Sequence, residues 1–164
     1  ETIYQYSALI PEMSIARNIF IGREQISYKI GSLGIMKRKE MDTAAMDALN
    51  DVELHLRSPE TPVNQLSGGE RQGVVIARAM YFKSKLLILD EPTNHLSVKE
   101  TSKVLRFVEG LKKQGVTSVF ITHNLNHIFP IADHLCVMAR GEKIADMEKK
   151  ETTIEELTDL LVNG

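Results

Sequence analysis

Leu86-Leu87-Ile88-Leu89-Asp90-Glu91-Pro92-Thr93 is a short apolar run that stops abruptly at two adjacent carboxylates and a proline. Four aliphatics without alternation predict a parallel strand covered on both faces, and in open α/β sheets ligands bind at the carboxyl ends of such strands. Asp90 and Glu91 therefore fall where chemistry is expected. Neighbours along a strand point to opposite sides, so the two acids are expected to serve different tasks, one facing a metal and the other a water. The competing reading is a strand that ends in a solvated acidic turn closed by Pro92.

Downstream of this run, Ser97 and Glu100 form a capping-box pattern, and Val98, Thr101, Val104, Leu105, Val108 and Leu111 give the following helix a buried stripe that Gly115 ends. Val116–Thr122 is rich in β-branched residues and reads as a second core strand, ending at His123. A short helix over Leu125–Ile131, strands at Leu135–Ala139 and Lys143–Met147, a charged linker at Glu148–Glu151 and a final helix over Thr153–Val162 complete the carboxyl half. Upstream, Thr2-Ile3-Tyr4 is β-prone and places Gln5 at a strand end. Ser14 can cap a short helix through Ile19 or Phe20. Arg23–Gly34 reads as loop, with a turn at Gly31-Ser32-Leu33-Gly34. Met41, Ala44, Ala45, Ala48, Leu49 and Val52 recur at helical spacing. Breaks at Ser58-Pro59 and Thr61-Pro62 precede a further helix carrying Val74, Ala77, Met80 and Tyr81. The whole predicts an α/β chain: a mostly parallel sheet in the carboxyl half, with a more helical region between about residues 12 and 65.

Ser67-Gly68-Gly69 opening a helix is a ready anion site, because two glycines let the backbone approach a phosphate and exposed amides at the positive end of the helix dipole favour negative charge. Ser67 adds a hydroxyl donor. Ser67 and Glu70 equally satisfy a capping box, which needs no ligand. No Gly-Lys-Ser/Thr occurs anywhere in the chain.

With 164 residues, 43% hydrophobic and 26% charged, the chain suits a single α/β domain, and its formal net charge of −2 carries no footprint for nucleic acid or an anionic membrane. No apolar stretch approaches the roughly 18 residues of a membrane span. Cys136, the only cysteine, lies in the apolar run Leu135–Met138 and reads as core. His123 and His127 have an i, i+4 spacing, but no cysteine or acid cluster joins them for zinc. The chain opens on Glu1, with first residues that already read as a strand end. It is therefore expected to begin within a domain.

Leu66-Ser67-Gly68-Gly69-Glu70-Arg71-Gln72, then Leu86–Thr93 after one helix, then His123 at the next strand end, resembles the ATP-binding subunits of ABC proteins in order and spacing. The resemblance covers essentially the whole chain. It matches Gln5 to the Q-loop, Leu66–Glu70 to the signature, Leu86–Asp90 to Walker B, Glu91 to the catalytic glutamate, Asn94–Ser97 to the D-loop and His123 to the switch histidine. Tyr4-Gln5, Ser14–Glu24, Tyr81-Phe82, Val98-Lys99-Glu100 and Ile154–Leu157 are similar in particular to subunits of simple-sugar importers. The resemblance implies an ABC-type P-loop NTPase core with a helical subdomain, about 8–82 for the Q-loop segment and helical part and about 83–164 for the α/β core.

Its implied cofactors are ATP and Mg²⁺. Asp90 and Gln5 would serve the metal, Glu91 would polarise the attacking water with Gln5 also touching it, and His123 would reach the γ-phosphate. Ser67, Gly68, Gly69 and Glu70 would meet nucleotide on a second ATP-binding domain, a homodimer partner or a paired domain, head to tail. Transmembrane permease subunits would dock on about Ser7–Gly34, with a sugar-binding protein engaged indirectly and no nucleic acid. The subunit would be cytoplasmic, peripheral on the inner face of the cell membrane. Ile15, Ile19, Phe20 and Ile21 could form the docking surface or pack their helix onto its own domain. Walker A would lie ahead of Glu1, so this chain by itself is expected not to hydrolyse ATP. Ser97 stands where many relatives place aspartate. Asn94-His95-Leu96 also resembles soluble ABC-F factors that act on ribosomes, and a non-catalytic truncated module is a further alternative.

Overall fold

The computed structural model describes residues 2–3, 9–30 and 33–163. Three parallel strands, β1 (Thr2–Ile3), β4 (Leu86–Asp90) and β5 (Thr117–Ile121), form a sheet in the order β1-β4-β5, with Ile3 beside Leu89 and Asp90 beside Ile121. The remaining strands pair as two antiparallel hairpins, β2 (Ile26–Ile30) with β3 (Leu33–Met36) and β6 (His134–Ala139) with β7 (Glu142–Glu148). The helices are α1 (Ile15–Phe20), α2 (Arg38–Asp51), α3 (Gly68–Tyr81), α4 (Val98–Lys113), α5 (Leu125–Ile128) and α6 (Ile154–Asn163).

The main core joins the helical part to one face of the sheet. Leu87 and Leu89 of β4 are fully buried there with Ile76, Val74 and Leu111. The other face is open in this chain: Leu86, Val119 and Ile121 are 44%, 45% and 48% exposed. Two expectations are not met among the described residues: the aliphatic run of β4 is covered on one face, and Phe120 is the residue of β5 that joins the core. A run without alternation reports what a strand tolerates, and cannot say which layer supplies the second cover.

α1 is held at its amino end by its own cap and by a distant segment of the chain. Ser14 Oγ accepts from the Arg17 N–H, while the Ile15 and Ala16 N–H groups donate to the carbonyls of Thr61 and Pro59, each at 3.0 Å. The Pro59–Pro62 break thus satisfies the orphan donors of a distant helix. Asn18, buried at 1% exposure, accepts from Ile10 N–H and donates to the carbonyls of Ile10, Met13 and Ser14. Ile15, Ile19 and Phe20 are fully buried and Ile21 partly so, which decides between the two readings of this helix in favour of packing on its own domain. Phe20 meets Tyr81 and Phe82 edge to face, at centroid distances of 5.0 and 5.9 Å.

Residues 23–34, read as loop, contain β2 and the start of β3. Ile26-Ser27-Tyr28-Lys29-Ile30 alternates apolar and polar residues, the period of a strand, and Ser27 Oγ donates to the Ile35 carbonyl at 3.0 Å. The turn expected at Gly31–Gly34 keeps only 31 and 32 between the strands, and those two lie outside the described residues. On α4, Val98 is 86% exposed instead of buried, whereas Phe107 joins Thr101, Val104, Val108 and Leu111 inside. Cys136 is exposed, a second reversal: β6 alternates, with Leu135 and Val137 packing on Leu157 of α6 while His134, Cys136 and Met138 face out. The charged linker is a short 3₁₀ turn, Lys149–Glu151.

Candidate active site

Two clusters stand at the carboxyl end of the parallel sheet, joined by the segment between β4 and α4. In the first, the chain leaves β4 at Asp90 and turns out of the strand at Glu91, whose φ of +47° is in the left-handed region although its N–H still donates to the Ile121 carbonyl at 2.9 Å. That conformation is costly for a residue with a Cβ and is held by what surrounds it. The Glu91 carboxylate accepts three hydrogen bonds: Oε1 from His123 N–H at 3.2 Å and from His123 Nδ1 at 2.7 Å, and Oε2 from Thr122 Oγ1 at 3.1 Å. The acid is largely shielded at 19% side-chain exposure, the imidazole 79% exposed. Because Nδ1 donates to the acid, Nε2 of a neutral ring is left as a solvent-facing acceptor, and protonation of the ring turns it into a donor.

Asp90 shares by alternation the face of Leu86 and Ile88, and no hydrogen bond donor among the described residues engages its partly buried carboxylate. No group of three His, Cys, Asp or Glu residues among those described could hold a metal by itself. Such a lone free carboxylate suits a cation that keeps most of its water and takes its other ligands from phosphate oxygens. Gln5, the other residue expected at the metal and the water, lies outside the described residues.

The second cluster is the amino end of α3. Ser67 is its N-cap in a complete capping box: Ser67 Oγ accepts from Glu70 N–H at 3.3 Å, and Glu70 Oε2 accepts from Ser67 N–H at 2.8 Å. The two glycines answer to neighbours in this chain. A Cβ on Gly68 would sit 2.4 Å from Leu96 Cδ2, and one on Gly69 would sit 3.0 Å from Glu100 Cβ and 3.3 Å from its Cα. They therefore let the D-loop and α4 press against the helix end, in addition to baring its amides.

Between the clusters, Asn94 N–H donates to the Glu91 carbonyl at 3.1 Å and His95 adopts φ +60°. Buried Thr93 meets His127 Nδ1 at 3.1 Å, and Asn124 Nδ2 meets His127 Nε2 at 3.2 Å. With the Asn124 amide donating to Nε2, the ring proton resides on Nδ1 and is given to Thr93 Oγ1. His127 thus ties the segment after β4 to the segment after β5. Sequence spacing exposed it only as a metal-ligand pattern, and Thr122 and Glu100 were visible only as a strand end and a cap.

Residues 1–94 match the family model described as ABC transporter. The chain is 40% identical over 163 residues to the xylose/arabinose import ATP-binding protein XylG of Sulfolobus acidocaldarius, covering 99% of this chain and 63% of that protein. It is 38% identical to the fructose import ATP-binding protein FrcA of Rhizobium meliloti, covering 95% of this chain and 61% of that one. Among solved structures, it is similar to an inward-facing ABC transporter of metal-chelate type (TM-score 0.79, 28% identity, 99% of this chain and 62% of that chain). It is also similar to a dimeric post-hydrolysis ATP-binding cassette bound to ADP and Pi (TM-score 0.68, 26% identity, 90% and 62%). The chain thus spans a little over three-fifths of these relatives. A parallel sheet that presents Asp90, Glu91 and His123 at its strand ends and a glycine-fronted helix beside them, matched over more than half its length by one family model, belongs to the ABC transporter family.

Proposed function

We propose that the full-length protein is the ATP-binding and ATP-hydrolysing subunit of an importer for a simple sugar, working as a head-to-tail dimer. The observation that supports it most is the Glu91 carboxylate, shielded, fixed by Thr122 and His123, and standing one residue beyond an unpartnered Asp90. In this reading Glu91 orients the attacking water and accepts its proton, and His123, exposed and mounted on the same carboxylate, supplies a hydrogen bond to the γ-phosphate. Asp90 and Gln5 hold Mg²⁺, which when bound offsets phosphate charge. Ser67, Gly68, Gly69 and Glu70 form the edge that meets nucleotide on the facing domain. Residues of about 8–82 carry the docking and signature functions and those of about 83–164 the hydrolytic ones.

The sugar assignment is supported by relatives named as importers of xylose or arabinose, fructose and ribose. No helix among the described residues is long and apolar enough to cross a membrane, and the proposed place of the subunit is the cytoplasmic face, against permease subunits that engage a sugar-binding protein. Among the described residues within about Ser7–Gly34, the exposed large apolar side chains are Ile10, Ile26 and Tyr28, at 40%, 42% and 64% exposure.

Glu91→Gln in the full-length protein tests the assignment. Turnover is expected to fall by roughly 10²–10⁴, the usual worth of a general base, with ATP binding retained. Wild-type turnover in that variant would remove Glu91 from the role.

A further inference from the structure

Glu100 stands where two helix N-termini meet. Its Oε2 accepts from Ser97 N–H at 3.0 Å and Ser97 Oγ at 2.8 Å, which completes the cap of α4. Its Oε1 crosses to α3 and accepts from the Gly69 N–H at 3.3 Å. α3 has no need of a second acid as a cap, because Glu70 already closes its capping box. Ser67 Oγ spends a lone pair on Glu70 N–H, so its hydroxyl hydrogen remains to be donated. The glycine amide at the head of α3 is thus met by an anionic group that belongs to the chain itself.

We propose that Glu100 is an internal stand-in anion: its carboxylate occupies the Gly69 amide in the separated subunit and gives way to a phosphate oxygen of the facing domain's nucleotide on closure. The inference rests on the dimeric ATPase reading above. Two features of the geometry support it. Gly69 has Glu100 Cβ and Cγ 3.0 and 3.2 Å from where its own Cβ would be, so the stem is fixed against the helix end and only the carboxylate can swing aside. A carboxylate left in place would repel the incoming phosphate, so closure must include that swing. Glu100 is then a positioning residue that raises the nucleotide threshold for closure without touching the reacting atoms.

The test uses the full-length protein carrying Glu91→Gln, with ATP-dependent dimerisation followed by sedimentation. Glu100→Gln keeps the length of the side chain and its capping ability while removing the charge. It is expected to lower the ATP concentration for half-maximal dimerisation by about three- to tenfold, the scale of one net hydrogen bond, in a variant that stays folded at neutral pH. An ATP requirement that is unchanged or raised overturns the stand-in role. Ser67→Arg in the same background reports on the underlying reading: dimerisation that survives it removes the signature contact altogether. Loss of dimerisation in Ser67→Arg together with an unshifted Glu100→Gln overturns the stand-in alone.

Discussion

Glu100 is held down to about 2 from an ordinary 4.5, chiefly by the Ser97 N–H, then by the Ser97 hydroxyl, the Gly69 N–H and the Ser67 hydroxyl. A depressed carboxylate contributes stability that is present above its unfolded value and is lost as pH falls through the folded one. The stability difference between wild type and Glu100→Gln is therefore expected to be flat from pH 7 to about 5, and to shrink progressively between 4.5 and about 2. Denaturant titrations of both proteins across that range check it, and a difference that stays constant to pH 2 would exclude the four donors as the cause. Glu91, by contrast, illustrates what a single position can hide. Its identity and its place after an apolar run were legible, because acids at strand ends need only sequence order. Its left-handed backbone and its hold on Thr122 and His123 were not, since both depend on β5 arriving alongside.

At the level of elements, the amphipathic helices were readable from their 3.6-residue period, and the capping boxes at Ser67, Ser97 and Thr153 from their residue types. The β2–β3 hairpin was not, because glycines at 31 and 34 outweighed a five-residue alternation. The buried set of α4 differs at Val98, which faces out, and at Phe107, which lies against α3. That approach is permitted by Gly73 of α3, where a Cβ would be 2.5 Å from Leu54 Cδ2 and 3.1 Å from Phe107 Cε2. Glycine to alanine should consequently have opposite signs in the two helices. Gly73→Ala is expected to destabilise by about 1–2 kcal/mol, overpacking outweighing helix propensity. Gly110→Ala, with nothing within 4 Å of the new methyl, is expected to stabilise by about 0.5–1 kcal/mol. Chemical denaturation of the pair decides whether the α3–α4 spacing is as tight as described.

For the molecule as a whole, the packing of α1 separates surfaces that build the domain from surfaces left for a partner. Ile19 is fully buried, so Ile19→Asp places an unpaired charge inside and is expected to cost about 3–5 kcal/mol, a large share of a domain's stability. Tyr28 is 64% exposed on the hairpin, and Tyr28→Ser is expected to change stability by no more than about 0.5 kcal/mol while weakening co-purification with the permease. Equal co-purification would move the docking surface off the hairpin. The exposure of Leu86, Val119 and Ile121 was not legible in the sequence, because cover is a property of neighbouring layers. One contact also carries a consequence for substitution. Ser97 Oγ both donates to Glu100 and accepts from its N–H, so an aspartate at 97 would set two carboxylates against each other at the head of α4. The two positions are thus coupled electrically: Ser97→Asp is expected to lower stability more beside Glu100 than beside Glu100→Gln, and denaturation of the two variants reads the difference.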